Sequence, residues 1–168
     1  MYNPPNGDGV HHFVDEVMPL VIQRHPNARL YIVGSRPPAS VLGLATHRNV
    51  EVIADVPRIE PYIQRAQVSV CPVRLAIGSQ TKVLEAMACG TPVVTTAAGN
   101  RGIGGLNGVH LYVDDDPAAM AAHIVALLDG EEWEGLSTRS RRFVLDNFGW
   151  EKSGTRLEGI IREVSRKN

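Results

Sequence analysis

The chain has 168 residues, 43% of them apolar and 21% charged, with a formal net charge of −1. That balance belongs to one compact globular domain, residues 1–168, and excludes a disordered chain. A protein that grips nucleic acid through its phosphates carries a basic excess; none is present, so nucleic acid is excluded as a partner.

Cys71 and Cys89 sit in apolar stretches without metal-ligand spacing, and two reduced, buried thiols are expected. No apolar run is long enough to span a bilayer. The opening residues, Met1 to Asp8, have neither the charge nor the apolar core of a secretion signal. A cytoplasmic location is the expectation.

The first helical pattern runs from about Val10 to Gln23, with Val10, Phe13, Val14, Val17, Val21 and Ile22 on one face. Asp8 suits its N-cap, and Pro19 should bend or split it. Arg29 to Gly34 reads as a buried strand ending in glycine. Pro37-Pro38 opens a helix to about Ala45, with Pro38 in the first turn. Val50 to Ala54 is the second strand, 59–66 a short helix, and Val68 to Pro72 the third strand. After a loop from Arg74 to Gly78, a helix runs from about Ser79 to Cys89 and is closed by Gly90. Pro92 to Thr96 and His110 to Val113 are the next strands, joined by a glycine-rich connection. Asp116 caps a helix from Pro117 to Leu128, and two more helices follow at about 131–147 and 151–164.

Strands that are continuous apolar runs, alternating with helices, imply a parallel sheet covered on both faces. The fold class is α/β, Rossmann-like and doubly wound. Ligands of such sheets bind beyond the carboxyl ends of the strands. The loops after Gly34, Ala54, Cys71 and Thr96 are therefore the candidate site. A doubly wound domain opens on a central strand, whereas this chain opens on a loop and a helix. The expectation is a sheet lacking its first strand, with that strand and a partner domain upstream.

On the helix around Glu85, Val83, Leu84 and Met87 share one face, and Thr81, Lys82, Glu85 and Cys89 the other. The free amides and dipole at its start attract anions. A pyrophosphate over Gly78, Ser79, Gln80 and Thr81, with Lys82 as counter-charge, would leave Glu85 one turn deeper to accept hydrogen bonds from a ribose diol. Lys82 and Glu85 at i, i+3 equally suit an ordinary surface ion pair. Spacing alone does not choose between the two.

The run Leu84-Glu85-Ala86-Met87-Ala88-Cys89-Gly90-Thr91-Pro92-Val93-Val94 resembles the signature of the family 4 retaining glycosyltransferases, which have the GT-B fold. Arg29 to Gly34, Val52 to Val56, Asp114 to Asp116 and Phe148-Gly149-Trp150 resemble further landmarks of that family. The resemblance implies one half of a GT-B fold. This half would bind a nucleoside diphosphate sugar, opposite a missing N-terminal acceptor-binding domain that could also supply peripheral membrane contact. It implies that Glu85 holds the ribose hydroxyls, that the backbone of Val56 pairs with the base, and that Gly78 to Thr81 lie under the phosphates. It implies no obligatory metal or other cofactor.

Two departures stand out. The first glutamate of the family's pair falls at Ile77, which cannot hydrogen-bond a sugar. The usual arginine and lysine of the diphosphate clamp are not visible, and Arg74 or Lys82 would have to substitute. The variant Gly78-Ser79-Gln80-Thr81-Lys82 resembles a bacterial subgroup linked to exopolysaccharide biosynthesis.

Other features read as structural. His11 and His12 are expected as a solvated pair. Asp114 to Asp116 suit a loop and N-cap better than a metal site. In the glycine run from Gly99, Asn107 stands where a dinucleotide fingerprint needs its third glycine, so a flexible loop near the donor sugar is expected. Trp133, Phe143, Leu145, Phe148, Trp150, Leu157 and Ile160 are expected mainly in the core, with some left in an apolar surface patch. The function expected is donor binding for a hexosyltransferase-type enzyme, with the isolated chain inactive and its catalytic group unidentified. A GT-B-fold UDP-sugar epimerase and a non-catalytic glycosyltransferase-like domain are the alternatives.

Overall fold

The computed structural model describes residues 4–76 and 78–165. Helix α1 (Pro4–His12) leads into a π-helical turn, Phe13–Val17, and then into α2 (Met18–Arg24). Pro19 stands in the first turn of α2 and lacks the amide that an unbroken helix would donate to Asp15. The π turn just ahead of it takes up the misfit, so the expected split occurs. The expected cap does not. Asp8 lies inside α1, because the prolines at its start already have a helical φ and no amide to satisfy.

This interrupted helix packs on both halves of the domain. Val14 joins Ile32, Val41, Leu44 and Val50 in one cluster. Phe13, Val17 and Val21 join Val94, Met120, Ile124 and Leu127 in another. Each side chain so buried contributes about 1.5–3 kcal/mol.

Strand β1 (Leu30–Gly34) is followed by α3 (Ala39–Gly43), a 3-10 turn at Leu44–Thr46, and β2 (Val50–Ala54). Pro38 caps α3 in an extended conformation, with ψ at 159°, rather than sitting in its first turn. Then come α4 (Glu60–Arg65), β3 (Ser69–Cys71), α5 (Thr81–Ala88), β4 (Val93–Thr95) and α6 (Ala97–Asn100). The order ends with β5 (Tyr112–Val113), α7 (Pro117–Leu128), α8 (Trp133–Phe148) and α9 (Trp150–Ser165).

Every strand pair is parallel. β1 pairs with β2 from Leu30↔Val50 to Gly34↔Ala54. β3 pairs with β4, and β4 with β5. The strands make two hydrogen-bonded ladders, β1-β2 and β3-β4-β5. The two ladders share a core, since Leu30 of β1 and Val70 of β3 pack on the same cluster. A doubly wound sheet of order 3-2-1-4-5-6 sets its first strand between the strands that match β1 and β3.

The C-terminal helices complete the packing on the second ladder. Leu136 is fully buried, Val144 is buried, and Phe143 and Phe148 pack beside them. Trp133 packs on the core and its indole donates to the Gln67 carbonyl at 2.6 Å. Leu145 is exposed. The side chains of Trp150, Leu157 and Ile160 lie outside those described. Both cysteines are free; Cys71 is buried as expected, but Cys89 is half-buried, at the C-cap of α5. Among the described residues no helix is long and apolar enough to cross a membrane.

Candidate functional site

The loop between β3 and α5 carries the motif. Gly78 adopts a φ of 72°, a left-handed conformation that costs glycine little. Gln80 occupies the N-cap of α5 in an extended conformation, and among the described residues no side chain caps the helix. The first amides of α5 are thereby left for a ligand or water. Val83, Ala86 and Met87 are the buried face. Leu84 is half-buried; Thr81 and Glu85 are exposed, while Lys82 and Cys89 are half-buried.

Both ends of this helix are fixed by distant residues. At its start, the Ser79 hydroxyl donates to the Gly102 carbonyl at 2.6 Å. A Cβ on Gly102 would stand 2.6 Å from the Ser79 Cα and amide nitrogen, so only glycine allows this approach. At its end, Gly90 N donates to Met87 O and Thr91 N to Ala86 O, each at 3.0 Å, the paired bonds of a Schellman close. From α8, Ser137 Oγ donates to Gly90 O at 2.5 Å and Arg141 Nε to Ala88 O at 3.1 Å.

The two cations assigned to a diphosphate are both engaged by α1. Lys82 Nζ donates to Asn6 Oδ1 at 2.5 Å. Arg74 donates from Nε and Nη2 to the two carboxylate oxygens of Asp8, at 2.9 and 2.7 Å. This fork holds the Asp8 carboxyl below its ordinary value and raises Arg74 in turn. Lys82 and Glu85 therefore do not form the ordinary surface pair. The Glu85 carboxylate makes no hydrogen bond or ion pair among the described residues. The Cys89 thiol is pushed up by burial first and then by the charges of Glu60 and Glu85.

At the carboxyl edge of the other ladder, Gly34 and Val56 belong to adjacent turns. Asp55 joins those turns. Its amide donates to Gly34 O at 3.1 Å, and its Oδ1 accepts from Arg36 N at 2.9 Å. Asp55 was not singled out from sequence. Its one signal is an aspartate directly after a strand, a residue that tolerates left-handed backbone.

A cleft of about 240 Å3 opens at the carboxyl ends of β3, β4 and β5 and is lined by His12, Arg74, Thr96, Ala97, Arg101 and Asp115 among others. His12 and His11 are half-buried, so the expected solvated pair is corrected: the end of α1 turns His12 into this cleft. Asp115 Oδ1 accepts from Ala97 N at 3.0 Å. Asp116 caps α7 by accepting from Ala119 N at 2.9 Å, and Asp114 lies 3.8 Å from His123. No group of three His, Cys, Asp or Glu side chains able to hold a metal is found among the described residues.

The glycine run is packed rather than free-standing. Asn100 brackets it through Nδ2 to Gly105 O at 2.8 Å and Oδ1 from Gly105 N at 3.0 Å, and Ile103 is buried. Ile77 lies outside the described residues.

No curated protein matches the sequence. Among solved structures, Anabaena Alr3699/HepE in complex with UDP aligns with a TM-score of 0.79 at 16% identity, over 96% of this chain and 46% of that one. The C-terminal domain of the group 1 family glycosyl transferase LpcC from Francisella tularensis aligns with a TM-score of 0.70 at 16% identity, over 84% of this chain and 80% of that one. Sucrose-phosphate synthase from Thermosynechococcus elongatus aligns with a TM-score of 0.75 at 22% identity, over 95% and 43%. The chain spans less than half the length of the UDP complex and of the synthase. The fold is thus that of a Rossmann-like GT-B domain. The model of glycosyl transferases group 1 matches residues 1–130, and the chain belongs to that family.

Proposed function

We propose that this chain is the donor half of a two-domain, family 4-like retaining glycosyltransferase and binds a nucleoside diphosphate sugar. The observation that carries this reading is Glu85. Among the described residues it is a carboxylate without a partner, one turn inside a helix whose first amides have no side-chain cap. A ribose diol on Glu85 and a diphosphate over Gly78 to Thr81 use both features. That the solved structure of Anabaena Alr3699/HepE holds UDP supports a nucleotide as the ligand.

In transfer, the bond from the sugar to the diphosphate breaks through an oxocarbenium-like state. Negative charge grows on the leaving diphosphate, and preorganised amides and cations lower its energy. The amides at the start of α5 serve directly. Arg74 and Lys82 serve after exchanging Asp8 and Asn6 for phosphate oxygens. The acceptor site belongs to the partner domain and the catalytic group is unidentified, so the isolated chain binds nucleotide and transfers nothing. No metal takes part. The subgroup is the bacterial one linked to exopolysaccharide biosynthesis, acting in the cytoplasm, with membrane contact through the partner domain.

Calorimetry with UDP, GDP and ADP on the wild type and Glu85→Ala tests this. Hydrogen bonds to a charged acceptor contribute roughly 1.5–3 kcal/mol each, so Glu85→Ala should weaken binding at least about ten-fold. Unchanged binding would remove the ribose assignment. Ile77, which cannot bond a sugar, favours a second reading, a binding domain without transfer activity. No binding of any nucleotide at millimolar concentration would favour that second reading.

A further inference from the structure

The carboxyl edge of β1 and β2 carries two non-glycine residues in left-handed backbone, Arg36 with φ 45° and Asp55 with φ 52°. Such conformations persist where the surroundings hold them, and they cluster at ligand sites. Here Asp55 is the holder. Its amide carries the β1-β2 ladder one step past Gly34↔Ala54 by donating to Gly34 O at 3.1 Å. Its carboxylate then accepts the amide of Arg36 at 2.9 Å. One side chain therefore ties the turn after β1 to the turn after β2.

The next residue is Val56. Among the described residues its backbone N–H and C=O make no hydrogen bond. A donor and an acceptor at one residue, at the edge where ligands of parallel sheets bind, match the adjacent acceptor and donor on the edge of a nucleobase. We propose that Asp55 is a positioning residue for base selectivity: its double brace fixes the backbone of Val56 against the edge of the base. This inference rests on the donor-site reading above.

The physical consequence concerns discrimination rather than overall affinity. A backbone pair held in one orientation distinguishes bases by which donor or acceptor is left unpaired. A mobile pair accommodates each base and distinguishes them less. Ribose and diphosphate contacts, made from α5, do not depend on the brace.

The test is the ratio of dissociation constants for UDP, GDP and ADP, measured by calorimetry on the full chain. Asp55→Gly keeps the left-handed backbone at no steric cost but removes the carboxylate. Asp55→Asn keeps an acceptor oxygen and tolerates the same φ. Arg36→Gly relieves the strain at that turn and keeps its amide. Asp55→Gly should compress the ratio between the tightest and weakest nucleotide at least five-fold, while Asp55→Asn and Arg36→Gly should preserve it. A uniform loss across the three nucleotides, with the ratio intact, would mean that Asp55 serves the fold alone and would overturn the inference. A wild type that binds all three equally would overturn it too, yet leave the donor site standing. A wild type that binds none of them removes the donor-site reading, and this inference with it.

Discussion

Asp8 and Arg74, separated by 66 positions in sequence, meet as a two-pronged ion pair with oxygen–nitrogen distances of 2.9 and 2.7 Å. The pair sets an internal carboxylate on an arginine that lines the cleft at the carboxyl ends of β3 to β5. A carboxylate and a phosphate oxygen compete for the same guanidinium fork. On the proposed donor-site reading, Asp8 is the group that an incoming diphosphate would displace from Arg74.

Asp8→Asn should accordingly tighten UDP binding. Both partners are about half exposed, so the gain is modest, about two- to five-fold. It should shrink as salt screens the arginine. Titration calorimetry at low and high salt reads both effects, and weaker binding in Asp8→Asn would show that the carboxylate aims Arg74 instead. The pH sign is fixed by the depressed carboxyl. The ion pair is present above the unfolded aspartate value and is lost as pH falls through the lower folded one. Thermal melts of wild type and Asp8→Asn should therefore converge in that acid window.

Gly102→Ala should damage the loop at the start of α5. The new Cβ would meet the Ser79 Cα and amide nitrogen at 2.6 Å and the Gly78 carbonyl carbon at 2.7 Å. These are backbone atoms, and they yield only if the loop moves. Forced contacts of this kind cost about 1–3 kcal/mol, or about 2–4 °C of melting temperature per kcal/mol in a domain of this size. Calorimetric melting checks the loss. UDP affinity should fall as well, because the displaced residues are those proposed to lie under the phosphates. Ser79→Ala, which removes only the bond to Gly102 O, should show a smaller loss of both.

These two contacts mark the limit of what the residue order reveals. Where the cause is local, sequence and structure agree. Asp116-Pro117 defines the start of α7 through a cap and a preset φ, and α7 runs from Pro117 to Leu128 as expected. Val50 to Ala54 is a strand with the same bounds. Glu85 on the exposed side of α5 follows from helical periodicity. Where the cause is tertiary, they part. Asp8 reads as a cap until α1 is seen to begin four residues earlier, and its partner Arg74 lies 66 positions away, in the loop after β3. Gly102 reads as part of a loose loop because its neighbour, Ser79, is distant in sequence.

Leu136→Ala tests whether α8 supports the site from behind. Leu136 is fully buried against Val94, Met120, Ile124 and Leu127, and the same helix carries Ser137 and Arg141 to the end of α5. Truncating a buried leucine costs about 2–5 kcal/mol. Urea unfolding should show a lower midpoint with an unchanged slope. If the slope falls instead, the native or denatured state has changed compactness, and the simple cavity explanation fails.

His110 supplies the last test, in pH. Its ring stacks on Phe143 with centroids 4.2 Å apart, and its Nδ1 accepts from Leu106 N at 3.1 Å. The Ser140 hydroxyl donates to its carbonyl. Burial first, and then the charge of Arg139, lower the pKa of the imidazole from the ordinary 6.5. The folded protein therefore binds fewer protons than the unfolded chain between the folded value and 6.5. Linkage makes stability rise with pH across that window, so stability is lost as pH falls from 6.5 through the folded value. Protonation also turns Nδ1 into a donor facing the Leu106 amide, which removes that bond. His110→Phe should keep the stack and abolish this acid-side slope, at the cost of the Leu106 bond at every pH. Melting temperatures across the window should give a sloping profile for the wild type and a flatter one for His110→Phe; parallel profiles would assign the acid sensitivity to other groups.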